Sequence, residues 1–162
     1  MTDRVKEAVF SSLGDLRGLT VLDLFAGSGS LGLEALSRGA MHAVFVESSR
    51  DAIVHLEANL KATGLKEQAE IVWSNVSHAL ERGRFGRRDL VFVDPPYATP
   101  VSEVSEVLEH LLLRGLVAEG GRIVVHRSAK ESPAQPLGLT IGWRRDYGQS
   151  RILVYEHEEG SE

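Results

Sequence analysis

Cysteine is absent from all 162 residues, which removes disulfide staples and thiolate metal sites from consideration. No apolar run approaches the ~18 residues that a membrane-spanning helix needs, and the opening Thr2-Asp3-Arg4 is polar and charged where a secretory leader would turn apolar. A cytoplasmic protein with no membrane partner is the expectation. An excess of positive charge is lacking too. With 18 Lys and Arg against 23 Asp and Glu, the net charge is -5 and the pI about 5.7, so the surface as a whole is not built to coat nucleic acid. A local basic face stays compatible with those totals. The six histidines (His42, His55, His78, His110, His126 and His157) show no metal-ligand spacing and read as surface or core residues. No metal is expected. Internal repeats and interdomain linkers are missing as well, and 43% hydrophobic residues suffice for one sizeable core. Residues 1–157 are expected to form a single domain and 158–162 an acidic tail.

What is present alternates between strand and helix patterns, as in a doubly wound α/β sheet. Thr2 or Asp3 can cap an opening helix to about Leu13, with Val5, Ala8, Val9 and Leu13 on one face. Strand-like runs follow near Val21–Leu24, Ala43–Val46, Glu70–Trp73, Leu90–Val93 and Arg122–His126, separated by helical patterns near 30–38, 50–62, 76–82 and 101–116. Leu139–Trp143 and Arg151–Tyr155 flank a turn and read as an antiparallel hairpin added to a parallel sheet. Trp73 and Trp143, lying in strand patterns, are assigned to core packing.

Asp94-Pro95-Pro96-Tyr97 directly follows the apolar run Leu90–Val93. Two successive prolines end a central strand and leave a rigid turn whose carbonyls no helix takes up. With the Asp94 carboxylate, the Pro95 carbonyl can accept both hydrogens of an exocyclic NH2, while Tyr97 stacks on the ring that bears it. A strand-terminating turn is the bland alternative.

A second signal, Asp23-Leu24-Phe25-Ala26-Gly27-Ser28-Gly29-Ser30-Leu31-Gly32, follows one strand pattern and opens a helical one. It matches the G-x-G-x-x-G arrangement, whose glycines allow tight turning and close approach while the helix start offers free N–H groups. Glu47 closes the next strand, where an acidic side chain grips ribose hydroxyls. By itself this fits a NAD enzyme as well as an S-adenosylmethionine enzyme. The Asp94 turn separates them, because a hydride-transfer enzyme has no use for acceptors aimed at an amine.

Both motifs together resemble the class I S-adenosylmethionine-dependent N-methyltransferases that carry (D/N)-P-P-(Y/F). The opening T-D-R-V-K-E-A-V-F, then D-L-F-A-G-S-G-S-L-G-L-E-A-L-S-R-G, then V-F-V-D-P-P-Y, are similar to the RsmD family, bacterial enzymes that methylate the N2 amine of one guanine in 16S ribosomal RNA. The likeness covers nearly the whole chain. Family members usually carry a basic N-terminal segment before this point, so a shortened chain with part of its RNA grip missing is expected. The resemblance implies a seven-stranded, mostly parallel sheet in the order 3-2-1-4-5-7-6, with helices on both faces. It implies S-adenosyl-L-methionine as cofactor, S-adenosyl-L-homocysteine as product, and 16S rRNA within the small ribosomal subunit as the partner of a monomer. It also assigns roles. Asp23 would hold the amino end of the methionine moiety, Phe25, Gly27 and Gly29 would shape the cofactor loop, and Glu47 would take the ribose. Asn75 and the Val76 N–H would meet the adenine edge, although Asn75 is equally a helix cap. Asp94, Pro95 and Tyr97 would be catalytic, with Asp94 also bordering the cofactor.

Ligands of such sheets lie outside the carboxyl ends of the strands. That rule sorts the basic residues. Arg82, Arg84, Arg87 and Arg88 precede a strand, fall on the opposite edge and read as a solvated loop. Arg127 and Lys130 follow the fifth strand, while Arg144, Arg145, Tyr147 and Arg151 belong to the terminal hairpin turn. These, with Tyr97, are expected to touch RNA. The rival readings are a DNA adenine-N6 methyltransferase, which usually has a separate target-recognition domain, and a glutamine-N5 protein methyltransferase, which would show Asn at position 94. A NAD-dependent oxidoreductase and a non-catalytic RNA-binding module are further alternatives.

Overall fold

The computed structural model describes residues 1–83 and 85–157; the expectations for Arg84 and for the tail 158–162 lie outside the described residues. Helix α1, Asp3–Leu13, starts where the Thr2 hydroxyl accepts the Val5 N–H at 3.2 Å. Strands β1 (Thr20–Leu24), β2 (His42–Glu47), β3 (Ala69–Trp73), β4 (Arg88–Val93) and β5 (Val117–Ser128) then alternate with helices α2 (Ser30–Ser37), α3 (Arg50–Thr63), α4 (Val76–Arg82) and α5 (Val101–Leu113). Strands β6 (Leu139–Tyr147) and β7 (Ser150–His157) close the chain. The seven strands form one sheet in the order β3-β2-β1-β4-β5-β7-β6, as expected. The first five are parallel, and β7 pairs antiparallel with both β5 and β6.

Alternating side chains explain why the central strands are apolar throughout. Leu22, Leu24, Val44, Val46, Val91 and Val93 point to one face and bury against Val76, Leu80, Val104, Val107, Leu108 and Leu111 of α4 and α5. Val21, Phe45, Leu90 and Phe92 point to the other and bury against Val5, Val9 and Phe10 of α1, Leu31 and Ala35 of α2, and Leu56 and Leu60 of α3. Strand order reverses between β1 and β4. The crevice at their carboxyl ends is where such a sheet holds a ligand.

Several local expectations are corrected. Strand β5 begins at Val117, and a bulge in it sets Arg88 against Val117 but Leu90 against Arg122, with Gly120 at φ +72° within the bulge. Strands β6 and β7 run further than their apolar patterns, leaving only Gly148 and Gln149 as the turn, so Arg144, Arg145 and Tyr147 stand on a strand. Trp73 is 64% exposed rather than core, since β3 is the sheet's edge; its indole N–H donates to the Ser48 carbonyl at 3.0 Å. Trp143 is half-buried against the core, as assigned. Arg88 is buried, not solvated: its guanidinium donates to the Phe85 carbonyl at 2.9 Å and meets His42 Nδ1 at 3.0 Å. Among the described residues no helix is long and apolar enough to cross a membrane.

Candidate active site

The loop from β1 to α2 makes three unusual turns in succession. Phe25 sits at φ +59°, a left-handed conformation that costs a bulky residue about 1–2 kcal/mol, and Gly27 and Gly29 follow at φ +58° and +87°. The Ala26 N–H pins the loop to the Val46 carbonyl at 3.0 Å. At Gly29 a Cβ would stand 2.3 Å from Leu56 Cδ1, so both angle and space call for glycine. Helix α2 has no side-chain cap at Gly29. Asp23 supplies one from below, accepting the Gly32 N–H at 3.0 Å. Its carboxyl is 1% exposed, and burial pushes its pKa well above the ordinary value, opposed by the Gly32 bond and aided by the charges of Asp94 and Glu47.

Glu47, at the end of β2, is fixed by both oxygens. Oε1 accepts the Gly27 N–H at 2.8 Å and Oε2 the Ser49 N–H at 2.7 Å. Each oxygen keeps lone-pair capacity for one more donor. Asn75 ends the β3 connection with its Oδ1 on the His78 N–H at 2.8 Å, capping α4, and it lines the same space; the two readings of this residue are compatible.

Opposite stands the turn after β4. One cavity of about 650 Å3 joins Phe25, Gly27, Glu47, Asn75 and Val76 to Asp94, Pro95, Pro96 and Tyr97, within the ~300–1,000 Å3 usual for small-molecule sites. Met1, Ser74 and His126 are also among its lining, whereas Asp23 and Gly29 are not. The Asp94 Oδ1 lies 2.8 Å from His126 Nδ1, and Tyr97 Oη lies 3.1 Å from His126 Nε2 and 2.8 Å from Ser150 Oγ. The Tyr97 ring, 54% exposed, remains open to a flat partner.

His126 was not legible as a site residue. Its apolar neighbours Val124 and Val125 make it look like a core position, and no motif in the sequence links it to Asp94. Strand pairing brings it in: Val93 lies beside Val125, so the next residues, Asp94 and His126, emerge side by side.

The residues expected to touch RNA divide. Arg127 is unavailable to a phosphate: it is 3% exposed, pairs with Glu131 at 2.6 Å, and donates to the carbonyls of Pro96 and Thr99. It braces the acceptor turn from behind. Arg151, 8% exposed, pairs with Asp146 at 2.7 Å and donates to the Glu131 carbonyl, an arrangement that holds the Asp146 carboxyl below the usual carboxylate range. Arg144 and Arg145 are exposed. Arg145 lies over the Tyr147 ring at 5.8 Å, and both residues, with Arg4 of α1, line a second cavity of about 680 Å3. Ser150 belongs to that cavity and bonds Tyr97, so the two spaces adjoin.

Comparison with known proteins adds a line of descent. A family model described as conserved hypothetical protein 95 matches residues 1–156. Ribosomal RNA small subunit methyltransferase D of Escherichia coli K12 is 35% identical over 164 residues, covering 99% of this chain and 80% of that protein. A conserved hypothetical protein of Streptococcus pyogenes superposes with a TM-score of 0.87 at 34% identity, covering 94% of this chain and 95% of its own. TrmN from Thermus thermophilus shares the fold alone, at a TM-score of 0.78 and 22% identity over 97% of this chain and 49% of its own.

Proposed function

The chain belongs to the RsmD family of ribosomal RNA methyltransferases, and on that premise we propose that it methylates the exocyclic N2 amine of a guanine in 16S rRNA of the small ribosomal subunit, using S-adenosylmethionine. The observation that carries this reading is the meeting of two half-sites in one cavity: the Gly27–Glu47 wall, suited to a nucleoside, and the Asp94–Tyr97 turn, suited to an amine on a flat ring.

The residues present fit the cofactor. Glu47 is held by two backbone N–H groups and so offers its remaining lone pairs to ribose hydroxyls in a fixed direction. Phe25 and Val76 supply apolar walls for an adenine, and Asn75 an amide at its edge. When bound, S-adenosylmethionine would supply an electrophilic methyl: the S–C bond breaks as the N–C bond forms, the sulfonium leaves as a thioether, and the amine gives up one proton to Asp94 or water.

The chain's task is to make a poor nucleophile attack. The lone pair of an aryl amine is delocalised into its ring. Asp94 and the Pro95 carbonyl, accepting the two N–H hydrogens, localise that lone pair toward the methyl, while Tyr97 fixes the base plane. Base access requires unstacking, which favours a loop nucleotide. Arg145, Tyr147 and Arg4 line the adjoining second cavity and, with exposed Arg144 on the same strand as Arg145 and Tyr147, are assigned to flanking RNA.

Calorimetry with S-adenosylhomocysteine and NAD side by side tests the cofactor assignment. Heat with the first and none with the second is expected. Binding of NAD alone would replace methyl transfer with hydride transfer.

A further inference from the structure

We propose that His126 is a positioning residue for methyl transfer, which fixes Asp94 as the acceptor of the amine and ties it to the ring on which the base stacks; this rests on the assignment of Asp94 and Tyr97 to the substrate. A carboxylate at a turn can rotate about both of its side-chain torsions. Here Oδ1 is held at 2.8 Å by His126 Nδ1, and Oδ2 is left without a hydrogen-bond partner among the described residues. That is the oxygen available to a substrate amine.

With a neutral imidazole the bonds have one consistent direction. A carboxylate only accepts, so Nδ1 donates to it; the Nε2 of a neutral ring then accepts, so the Tyr97 hydroxyl, 3.1 Å away, donates. The Ser150 hydroxyl, at 2.8 Å, completes the chain by donating to Tyr97. Tyr97 also meets the imidazole edge-on, with ring centroids 5.4 Å apart.

His126 is well placed for this because the sheet fixes its backbone. It is 5% exposed, follows the buried run Ile123–Val125, and sits on β5 between β4 and β7, paired to Ile152. The imidazole is the group there that spans from the acceptor to the stacking ring, a separation no residue of the Asp94–Tyr97 turn bridges by itself.

Steady-state kinetics on small ribosomal subunits from cells lacking the modification test this. His126→Leu should lower kcat roughly 10- to 100-fold through loss of acceptor alignment, with the KM for subunits and the affinity for S-adenosylhomocysteine little changed. His126→Asn places an amide N–H near the Nδ1 position and should recover most of that loss. Tyr97→Phe, which keeps the ring but not the hydroxyl, should fall between them with unchanged KM. Near-parental kcat in His126→Leu, or an Asn variant no better than Leu while S-adenosylhomocysteine still binds, would overturn the proposal. Asp94→Ala run alongside separates the layers. If it retains activity, the assignment of Asp94 to the amine is wrong whatever His126 does; if it is inactive, the His126 variants are decisive.

Discussion

Glu47 binds two backbone N–H groups of its own chain, at 2.8 and 2.7 Å, so its substitution touches both loop geometry and ligand. Glu47→Ala is expected to cost about 1.5–3 kcal/mol of S-adenosylmethionine affinity, as for a missing charge-assisted hydrogen bond. An unchanged dissociation constant by calorimetry would remove it from the site. Asp23 gives a prediction of opposite character. Its folded-state pKa is raised above the unfolded one, so its contribution to stability is complete below the ordinary value of 3.8 and is lost as pH climbs toward the folded value. Asp23→Asn keeps an acceptor for the Gly32 N–H but cannot ionise. Its melting temperature, relative to the parent, should therefore improve between pH 5 and pH 8; parallel profiles would mean that the carboxyl is not held protonated by burial. At this scale the sequence was legible where chemistry is local. Asp94 and Tyr97 are marked by the prolines between them and Glu47 by its spacing from the glycines, whereas His126 lies 32 positions from its partner and is found only through strand register.

At the scale of elements, β5 does more than fill the sheet. Its successive residues His126 and Arg127 reach opposite ends of the acceptor turn, one on the Asp94 side chain and the other on the carbonyls of Pro96 and Thr99. Arg127→Met would leave Glu131 unpaired and unbrace the turn, lowering stability by less than the ~3–5 kcal/mol of a fully buried broken pair, because Glu131 is partly exposed. Denaturant midpoints check this, and an unchanged midpoint would contradict the brace. The β6–β7 hairpin carries the exposed cations instead. Neutralising Arg144 and Arg145 should weaken subunit binding and flatten its salt dependence by up to about one unit of slope for each phosphate that is no longer neutralised, while neutralising Arg82 and Arg87 at the opposite edge should do much less. The reverse ranking, in titrations at several salt concentrations, would place RNA on the amino edge of the sheet. Sequence reasoning placed this hairpin but shortened its strands, because β6 alternates half-buried and exposed side chains and its polar half resembles a turn. Burial of Arg127 and Arg151 was invisible for a related reason. Their partners Glu131 and Asp146 lie close in sequence, but only the fold decides whether such pairs face inward.

For the molecule as a whole, the alternation of strands and helices was legible because apolar runs, helix patterns and glycine turns agree with one another over the parallel half, whereas the strand order came from the family resemblance. Edge positions were less so, as exposed Trp73 illustrates: hydrophobicity alone does not distinguish an outer strand from an inner one. The net charge of -5 sits beside two arginines, Arg4 and Arg145, in the cavity that adjoins the active site, which suits recognition of a shaped particle better than broad adhesion to RNA. The central claim is the chemistry itself. Small ribosomal subunits from cells lacking the modification, incubated with the protein and methyl-labelled S-adenosylmethionine, would be digested to nucleosides and resolved by mass spectrometry. The account predicts label in N2-methylguanosine, absent with Asp94→Ala. Label in N6-methyladenosine, or labelling undiminished in that variant, would contradict it.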